Sequence, residues 1–344
     1  MELKDVKKIL IINLGGIGDI LLSLVSVRAL RGAYKGATID ILVVDHVGEF
    51  AGTSGLFDDI FLYKTCIPKN LSLFMGLGQN RYDLVVNMRT MVSALGALKM
   101  SILLKIINGK IWAGRDTNGY GGFFDIKIPE TRAGDKYEME YDIELVEKLG
   151  ARVDDRSVSF RVGPGCASVV DGLLKEANIS SGDIIVGIHP GGKPSRRWPL
   201  ENFAEVMRRI NGAAGCAFVI TGDEEDASLA GKLTGMPGVR AINMAGRLSL
   251  EELGALMKRC RLFISNDTAA MHIAAALKVP LVAIFGPGNL KRFDPRNIMK
   301  EAIVIFKETA CAPCERKACR RMECLKTISP DVVASAALKL LKVT

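Results

Sequence analysis

The chain has 344 residues, of which 49% are hydrophobic and 24% charged, the composition of an ordinary soluble protein with about two domains. Its formal net charge of +8 favours anionic partners such as nucleotides, phosphorylated sugars and acidic membrane surfaces. The composition disfavours nucleic acid, because only 6% of the residues are aromatic and no dense run of Lys and Arg is interleaved with them.

We expect no export signal in this sequence. Three lysines precede an apolar run at residues 9–13, but this run is short and leads into a glycine loop. The most apolar segment, residues 91–107, contains Lys99 and Lys105 and falls short of the ~20 apolar residues that a membrane span needs. We therefore expect a cytoplasmic protein with reduced cysteines, whose 91–107 helix contacts an anionic inner leaflet peripherally.

The first half of the chain alternates predicted strands with predicted helices. Its apolar patterns predict strands at residues 7–13, 39–44, 83–87 and 110–113, and helices at residues 20–30 and 91–107. Such alternation is typical of a doubly wound α/β unit. Between residues 150 and 165 the pattern loosens into charged sequence with Gly and Pro, so we place the domain boundary at residue 160.

The second half repeats this alternation. It predicts strands at residues 184–188, 217–221, 262–265, 281–285 and 302–306, and helices at residues 202–210, 226–233, 250–260 and 268–277. Ser329 and Pro330 start a final helix over residues 330–342, since Ser is a good N-cap and Pro suits the first helical position. We thus predict an α/β protein with two Rossmann-like domains, residues 1–160 and 161–328, which face a central ligand-binding cleft.

The first strand is followed by a glycine loop that ends in an aspartate, Gly15-Gly16-Ile17-Gly18-Asp19. The loop is neither the Gly-x-Gly-x-x-Gly dinucleotide fingerprint nor a Walker A motif, which would end in Gly-Lys-Ser/Thr. Its glycines let the backbone approach an acceptor or a phosphate, and Asp19 could act as a general base aimed into the cleft. An N-cap role would explain Asp19 equally well.

Residues 262–276 form a buried strand, a polar turn and an Ala-rich helix. Asp267 and Thr268 can cap the helix, and its free amides and dipole make the turn a natural anion site. His272 lies four residues after Thr268 and therefore shares its helix face. The turn can thus present a carboxylate, a hydroxyl, free backbone N–H groups and an imidazole to a phosphorylated ligand. Alternatively, Asp267 only caps the helix and His272 belongs to the core.

The loop after the predicted strand at 184–188 is rich in glycine and cations. Gly191 and Gly192 leave their amides free to approach a ligand, and Lys193, Arg196 and Arg197 follow. Because Arg suits bidentate contacts to phosphate oxygens, the loop predicts a diphosphate clamp. A solvated basic loop is the alternative.

Two further loops follow predicted strands of the second half. The acidic segment 222–226 could supply a carboxylate to a ribose hydroxyl, although acids are equally typical of a helix N-terminus, whose dipole favours them. Residues 285–288, Phe-Gly-Pro-Gly, either shape the same pocket or form a plain turn.

Four cysteines near the C-terminus have the spacing C-x2-C-x4-C-x4-C, at Cys311, Cys314, Cys319 and Cys324. Four thiolates could hold zinc, but the C-x2-C pair occurs only once, so we predict no metal and keep zinc as the less favoured alternative. The other cysteines are isolated and typical of small core residues: Cys66, Cys166, Cys216 and Cys260.

In order and spacing, these motifs resemble glycosyltransferase family 9, the ADP-heptose:lipopolysaccharide heptosyltransferases, over nearly the whole chain. The resemblance rests on residues 15–19, 189–191, 196–199, 222–226, 246–252, 266–268 and 272–275. It implies a GT-B fold with an acceptor-binding N-terminal domain, a nucleotide-sugar-binding C-terminal domain and a last helix, residues 329–344, that packs back on the N-terminal domain. It also implies inverting transfer without a metal or other cofactor.

The resemblance also assigns roles to residues at the two clusters of loops. It makes Asp19 the general base that deprotonates the acceptor hydroxyl, and Arg196 the residue that holds the donor phosphates. The backbone around Asp267, Thr268 and Ala269 would receive the diphosphate. Fixed cations and helix amides can stabilise a departing nucleoside diphosphate without a divalent ion, so the chemistry agrees with these roles.

Three more donor contacts follow from the resemblance. His272 would lie near the diphosphate, Asp226 falls where the family binds ribose, and Leu248 falls where an apolar residue flanks the adenine. The expected partners are an ADP-heptose donor and a lipid-linked oligosaccharide acceptor at the inner leaflet. Two other interpretations stay open: a nucleotide-sugar epimerase or hydrolase on the same fold, and a nucleotide-sugar-binding protein without catalysis.

Overall fold

In the part of the chain that the structure describes, two parallel sheets of six strands each organise two compact units. The computed structural model describes residues 3–64, 70–131, 133–314, 316 and 318–343. The first unit ends at Val158 and the second begins at Ser159, beside the predicted boundary at residue 160. The predicted α/β class with two doubly wound units is confirmed.

The first unit is built on a fully parallel sheet. Its strands are β1 (Lys8–Ile12), β2 (Thr38–Val44), β3 (Ile60–Tyr63), β4 (Leu84–Asn87), β5 (Ile111–Thr117) and β6 (Ile126–Glu130). They lie in the order β3-β2-β1-β4-β5-β6. Four of the five residues of β1 are buried, because helices cover both faces of such a sheet and its central strands must be apolar throughout.

The helices of the first unit are α1 (Ile17–Ala33), α2 (Gly48–Thr53), α3 (Leu71–Gln79), α4 (Ala94–Ile107) and α5 (Glu138–Lys148). Helix α1 begins one turn earlier than the predicted start at residue 20, because Gly16 is its N-cap. Helix α4 begins at Ala94 rather than at residue 91, because the Ser93 hydroxyl accepts the Gly96 N–H at 3.1 Å and caps it. No helix among the described residues is long and apolar enough to cross a membrane.

The second unit repeats this plan. Its strands are β7 (Ile185–His189), β8 (Ala217–Ile220), β9 (Ala241–Asn243), β10 (Leu262–Asn266), β11 (Leu281–Phe285) and β12 (Ile303–Phe306), in the order β12-β11-β10-β7-β8-β9. Its helices are α6 (Cys166–Glu176), α7 (Leu200–Ala214), α8 (Ala227–Thr234), α9 (Leu250–Arg259), α10 (Ala269–Ala276), α11 (Leu290–Phe293), α12 (Glu323–Lys326) and α13 (Pro330–Leu341).

The strands that the sequence did not predict all lie at sheet edges. They are β3, β6 and β9. Strand β3 is apolar throughout but only four residues long and partly exposed, and β9 has only three residues, so both give a weaker pattern than a long buried strand. Strand β6 even contains Pro129, which a central strand would not accommodate because its backbone has no N–H to donate.

The last helix packs within the second unit. Helix α13 packs against α7, and its buried residues Val333, Ala334, Ala336 and Ala337 belong to the core cluster of that unit. Packing of residues 329–344 back on the N-terminal domain stays a prediction.

Each sheet has one place where the order of its strands reverses. In the first sheet this switch point lies between β1 and β4, which pair with Ile12 opposite Asn87. In the second sheet it lies between β7 and β10, with His189 opposite Ser265. Loops leave the carboxyl ends of these two strands in opposite directions, so a crevice opens at the switch point, where ligands of such sheets bind.

A buried ionic cluster stabilises the sheet beside the first switch point. The Arg115 guanidinium of β5 is fully buried and lies 2.6 Å from Glu138, 3.3 Å from Glu130 and 2.5 Å from Asp142. Burial raises the pKa of Asp142 to about 7, aided by the neighbouring carboxylates and opposed by Arg115. The cluster also holds the loop after β4, because the Thr90 hydroxyl donates to Glu130 at 2.8 Å.

The raised pKa of Asp142 predicts a pH dependence of stability. The folded chain takes up a proton here between roughly pH 4 and pH 7, where the unfolded chain does not, so the free energy of unfolding falls as pH rises through this window. Asp142→Asn removes this titration. In urea denaturation from pH 4 to pH 8, the stability of the wild type relative to Asp142→Asn should decrease up to about pH 7 and then level off.

The matched control is Asp154→Asn, which removes an exposed carboxylate of the same unit. Its effect on the free energy of unfolding should stay within about 0.5 kcal/mol at neutral pH. A constant difference between the wild type and Asp142→Asn over the whole pH range would contradict the prediction.

Candidate functional site

Asp19 lies at the switch point of the first unit, in the first turn of α1. One carboxylate oxygen accepts the Gly16 N–H at 2.8 Å, and the other lies 2.7 Å from the Arg89 guanidinium. The side chain keeps 22% of its surface exposed, so a ligand can reach it. The N-cap of α1 is Gly16, so Asp19 does not occupy the N-cap position but lies at N3, from which its carboxylate accepts the N–H of the N-cap residue. The general-base role of Asp19 stays a prediction.

The glycine loop is shaped by this aspartate. A Cβ atom on Gly15 would lie 2.6 Å from the Cβ of Asp19, so only glycine fits at that position. Gly16 caps α1, and Gly18 lies within its first turn. The buried Asn13 side chain accepts the Gly15 N–H at 3.2 Å and holds the loop on the end of β1.

Arg89, the partner of Asp19, was not predicted from the sequence. This residue follows β4, and the buried Asn87 at the end of that strand donates its side-chain N–H to the Arg89 carbonyl at 2.8 Å. The loop is also held two residues further on, where the Met91 N–H donates to the Thr117 hydroxyl at 3.1 Å. The sequence did contain a signal for this residue, since it is a cation two residues after a predicted strand. Cations after a predicted strand also identified the basic loop of the second half.

Arg196 and Asp267 form the corresponding pair at the switch point of the second unit. The Arg196 guanidinium, on the loop after β7, lies 2.8 Å from the Asp267 carboxylate, on the turn after β10. A Cβ on Gly288 would lie 2.0 Å from that carboxylate, so the turn at residues 285–288 does shape this pocket. Arg196 remains partly exposed, whereas Asp267 is buried.

Asn266 fastens the two loops of this switch point together. Its side-chain N–H groups donate to the carbonyls of Pro190 at 2.8 Å and Gly191 at 3.1 Å. Its side-chain oxygen accepts the Trp198 N–H at 3.2 Å. Both ends of the basic loop are therefore fixed to the end of β10 by one fully buried amide.

Thr268, and not Asp267, occupies the N-cap position of α10. Its backbone is extended, and Thr268 and Ala269 are both partly exposed at the start of the helix. The first amides of a helix have no partner within it, so this turn can offer N–H groups to an anion. Gly192 has φ +105° and packs on Thr268, where a Cβ would lie 2.6 Å from the threonine methyl group.

Asp226 is engaged with the basic loop. It is 2% exposed, and its carboxylate lies 3.0 Å from Arg197, whose Nε donates to the Gly192 carbonyl at 2.7 Å. Burial, with help from Asp223, raises the pKa of Asp226. Gly191 is required here, because its Cβ would lie 1.9 Å from the Asp226 carboxylate. Arg197 and Asp226 thus shape the loop, and ribose binding by Asp226 stays a prediction.

His272 is a core residue in this structure. It is 4% exposed, and its ring packs edge-on against Phe293 with the centroids 6.2 Å apart. It therefore lies beneath the surface of the turn at the start of α10, and a direct contact with the diphosphate stays a prediction.

Leu248 lies partly buried in the loop before α9. Gly246 turns this loop with φ +72°, and its N–H donates to the Gly222 carbonyl at 3.0 Å, which joins the loops after β8 and β9. Ser249 then caps α9 by accepting the Glu252 N–H at 3.2 Å. Leu248 thus lies in a loop that is fixed at both ends, and its contact with the adenine stays a prediction.

His189 ends β7 and was not assigned a role from the sequence. Its Nδ1 lies 3.1 Å from the Thr221 hydroxyl at the end of β8. Burial lowers the pKa of His189 to about 4, so the imidazole is neutral near pH 7. It therefore adds no cation to the basic loop.

The four cysteines near the C-terminus line one cavity of about 490 Å³, called the thiol cavity below. No three of the described His, Cys, Asp and Glu side chains form a group that could hold a metal ion. Zinc binding by Cys311, Cys314, Cys319 and Cys324 stays the less favoured alternative. Cys216 is buried as predicted.

The remaining isolated cysteines vary in burial. Cys260 is also buried, and burial raises its pKa to about 12, as for an unreactive core thiol. Cys166 is only partly buried, and Cys66 lies outside the described residues.

The chain is similar to known glycosyltransferases in sequence and in fold. The sequence profile of glycosyltransferase family 9 (heptosyltransferase) matches residues 70–325. Lipooligosaccharide heptosyltransferase 2 of Campylobacter jejuni subsp. jejuni serotype O:2 is 28% identical over 170 residues, 48% of this chain and 53% of that protein. The chain therefore spans about half the length of this relative and of its serotype O:6 counterpart.

Solved structures share the whole fold. Escherichia coli ADP-heptose lipopolysaccharide heptosyltransferase II has a TM-score of 0.75 at 21% identity, covering 97% of this chain and 98% of its own. A family 9 glycosyl transferase from Veillonella parvula DSM 2008 has a TM-score of 0.79 at 23% identity, covering 99% of both chains. The predicted GT-B fold is confirmed.

Proposed function

The chain belongs to glycosyltransferase family 9, and we propose that it transfers a heptose from ADP-heptose to a lipid-linked lipopolysaccharide-core acceptor. The relatives named as lipopolysaccharide and lipooligosaccharide heptosyltransferases support this choice of donor and acceptor. One observation carries the proposal: the first switch point holds an accessible carboxylate, and the second holds a cation beside the open start of a helix.

We propose that Asp19 is the general base. Its carboxylate takes the proton of the acceptor hydroxyl as that oxygen attacks the anomeric carbon of the donor sugar. Attack from the face opposite the leaving group inverts the configuration. Arg89 and the Gly16 N–H fix the carboxylate, so little reorientation is needed when the acceptor binds.

The leaving ADP takes the electron pair of the broken glycosidic bond. Its developing negative charge would be met by the Arg196 guanidinium and by the first amides of α10, around Thr268 and Ala269. These groups are fixed by the protein before the reaction begins. We therefore propose that transfer proceeds without a divalent cation.

The base assignment predicts the behaviour of Asp19→Asn. The amide can still accept from Gly16 but cannot take up the acceptor proton, so kcat should fall by about 10²- to 10⁴-fold. ADP affinity should remain within about twofold, because this residue belongs to the first unit and the donor groups to the second. Transfer assays with ADP-heptose and calorimetry with ADP measure the two quantities.

Asp45→Asn, at an exposed aspartate of the same unit, is the control and should leave kcat unchanged. Normal turnover by Asp19→Asn would show that another group is the base. Sugar release by the wild type without an acceptor would indicate a hydrolase, and ADP-heptose binding without any turnover would indicate a binding protein.

The donor assignment predicts selective binding of ADP. Calorimetric titration with ADP, UDP, GDP and NAD should show preference for ADP, and EDTA should not change the affinity. Arg196→Lys keeps a positive charge beside the buried Asp267 but loses the planar fork for phosphate oxygens, so it should weaken ADP binding about tenfold. Arg208→Lys, on an exposed arginine of α7, should have no effect.

Each other outcome of this titration removes a different part of the proposal. Preference for UDP or GDP would leave the fold but exclude an ADP-sugar donor. Loss of ADP binding in EDTA would contradict metal independence, and binding of NAD alone would contradict a sugar transferase.

We also propose peripheral contact with the cytoplasmic face of an anionic membrane, through α3 and α4. The two helices pack closely, since a Cβ on Gly78 would lie 2.8 Å from the Ile106 carbonyl. Together they expose a set of large apolar side chains, each 42–67% exposed: Leu71, Met75, Leu95, Leu98, Ile102 and Ile106. Neither helix contains an acidic residue, and Lys99 and Lys105 are exposed on α4. Apolar surface flanked by lysines suits acidic headgroups.

Vesicle flotation tests this surface. The protein should float with vesicles of phosphatidylcholine containing phosphatidylglycerol more than with phosphatidylcholine alone, and Leu98→Ser/Ile102→Ser should lower the partition coefficient about tenfold. Val169→Ser/Val332→Ser changes two exposed apolar residues of the second unit and should have no effect. If both variants float equally, the α3–α4 surface is not the part of the protein that contacts the membrane.

A further inference from the structure

The first four residues of the loop after β4 are each bonded to the sheet. The first N–H, that of Met88, donates to the Ile12 carbonyl of β1 at 3.0 Å. The second residue is Arg89, whose carbonyl accepts from the last side chain of β4. The third and fourth, Thr90 and Met91, bond to side chains at the ends of β6 and β5. Four strands therefore fix the backbone from which the Arg89 side chain extends.

Glu130 is the acceptor that links this loop to the interior. One oxygen of its carboxylate accepts the Thr90 hydroxyl at 2.8 Å. The other accepts the Thr117 hydroxyl at 2.5 Å, and that hydroxyl in turn accepts the Met91 N–H. Glu130 is 4% exposed, and the Arg115 guanidinium lies 3.3 Å from its first oxygen. An ionised carboxylate can accept several hydrogen bonds at once, so a single side chain joins the loop to β5 and to the buried arginine.

The ionic cluster behind Glu130 is not explained by stability alone. Replacement of buried ionic groups by well-packed apolar side chains is often neutral or stabilising, so a buried ion pair is weak evidence for a stabilising role. Arg115 is fully buried, and Glu138 and Asp142 of α5 hold its guanidinium at 2.6 and 2.5 Å. A planar guanidinium held by several carboxylates has one orientation, so the Glu130 carboxylate beside it is fixed as well. The cluster thus provides a rigid support for the loop.

The supported loop leads to the candidate base. Arg89 directly precedes Thr90, and its guanidinium lies 2.7 Å from the Asp19 carboxylate. Both side chains of this ion pair are partly exposed. A partly exposed ion pair is weak by itself, so its geometry depends on where the backbone places each partner. The place of the Arg89 guanidinium therefore depends on the bonds that hold the loop.

We propose that Glu130 is a positioning residue for sugar transfer. It holds the Thr90 hydroxyl, Thr90 sets the place of Arg89, and Arg89 orients the Asp19 carboxylate for proton transfer. The inference rests on the proposed role of Asp19 as general base, whereas the bond between Glu130 and the loop does not. A misplacement of about 1 Å at a reacting group can lower a rate by as much as about 10²-fold, so the loss of one bond in this series should be visible in kcat.

The test breaks the series at Thr90, because removal of Glu130 would disturb the buried Arg115 cluster itself. Thr90→Val keeps the shape of the side chain but loses the hydroxyl, so kcat should fall about tenfold. Thr90→Ser keeps a hydroxyl and should have a kcat within about twofold of the wild type. ADP affinity should stay within about twofold in both, because the donor groups belong to the second unit. Thr53→Val, at a partly buried threonine whose hydroxyl donates to the Phe50 carbonyl, is the control and should leave kcat unchanged.

Two further measurements separate positioning from a general loss of structure. In the Asp19→Asn background no carboxylate base remains to be oriented, so Thr90→Val should not lower the residual kcat any further. Hydrogen–deuterium exchange, followed by mass spectrometry, should be faster in the peptide that covers residues 88–93 of Thr90→Val than in the wild type. The same peptide of Thr53→Val should exchange as in the wild type.

An unchanged kcat in Thr90→Val would overturn the proposal, as would an equal loss in Thr90→Ser or a further loss in the Asp19→Asn background. Unchanged exchange of residues 88–93 would show that Glu130 does not hold the loop. If Asp19→Asn alone turns over normally, the base assignment fails, and the exchange rates still decide whether Glu130 holds the loop.

Discussion

The reversal of strand order beside β1 and β7 is the constraint on which both candidate sites depend. At each reversal two loops leave neighbouring parallel strands in opposite directions, and the crevice between them is lined by whatever residues follow the strand ends. In the first unit an aspartate on one loop meets an arginine on the other, Asp19 with Arg89. In the second unit the charges are exchanged, and Arg196 meets Asp267.

These ion pairs orient groups more than they stabilise the fold. A partly exposed pair contributes only about 0–1 kcal/mol, so the Asp19–Arg89 contact matters mainly because it fixes a carboxylate that a ligand can still reach. Two buried asparagines hold the loops that carry these charged residues. Asn87 donates to the Arg89 carbonyl, and Asn266 donates to the Pro190 carbonyl. The fully buried Arg115 cluster is different, because removal of its guanidinium would leave several carboxylates uncompensated away from water.

The second switch point is supported from a distant part of the sequence. The segment that contains the thiol cavity bonds to Ser195 and to Pro287, and the Trp198 indole N–H donates to the Ile328 carbonyl at 3.2 Å just before α13. The last part of the chain thus completes the pocket that begins after β7. The same contacts explain why α13 belongs to the second unit, since it continues directly from this support.

The sequence by itself determined the central strands, the alternation with helices and the loops that carry Asp19, Arg196 and Asp267, because buried parallel strands read as continuous apolar runs and functional loops follow their carboxyl ends. Only the tertiary structure determined which side chains the residues of these loops contact. Arg89 meets Asp19, Arg197 meets Asp226 and His272 enters the core through contacts between residues far apart in the chain, and no local periodicity encodes them. Edge strands and the packing of α13 were decided in the same way, since partial exposure and small side chains leave only a weak pattern.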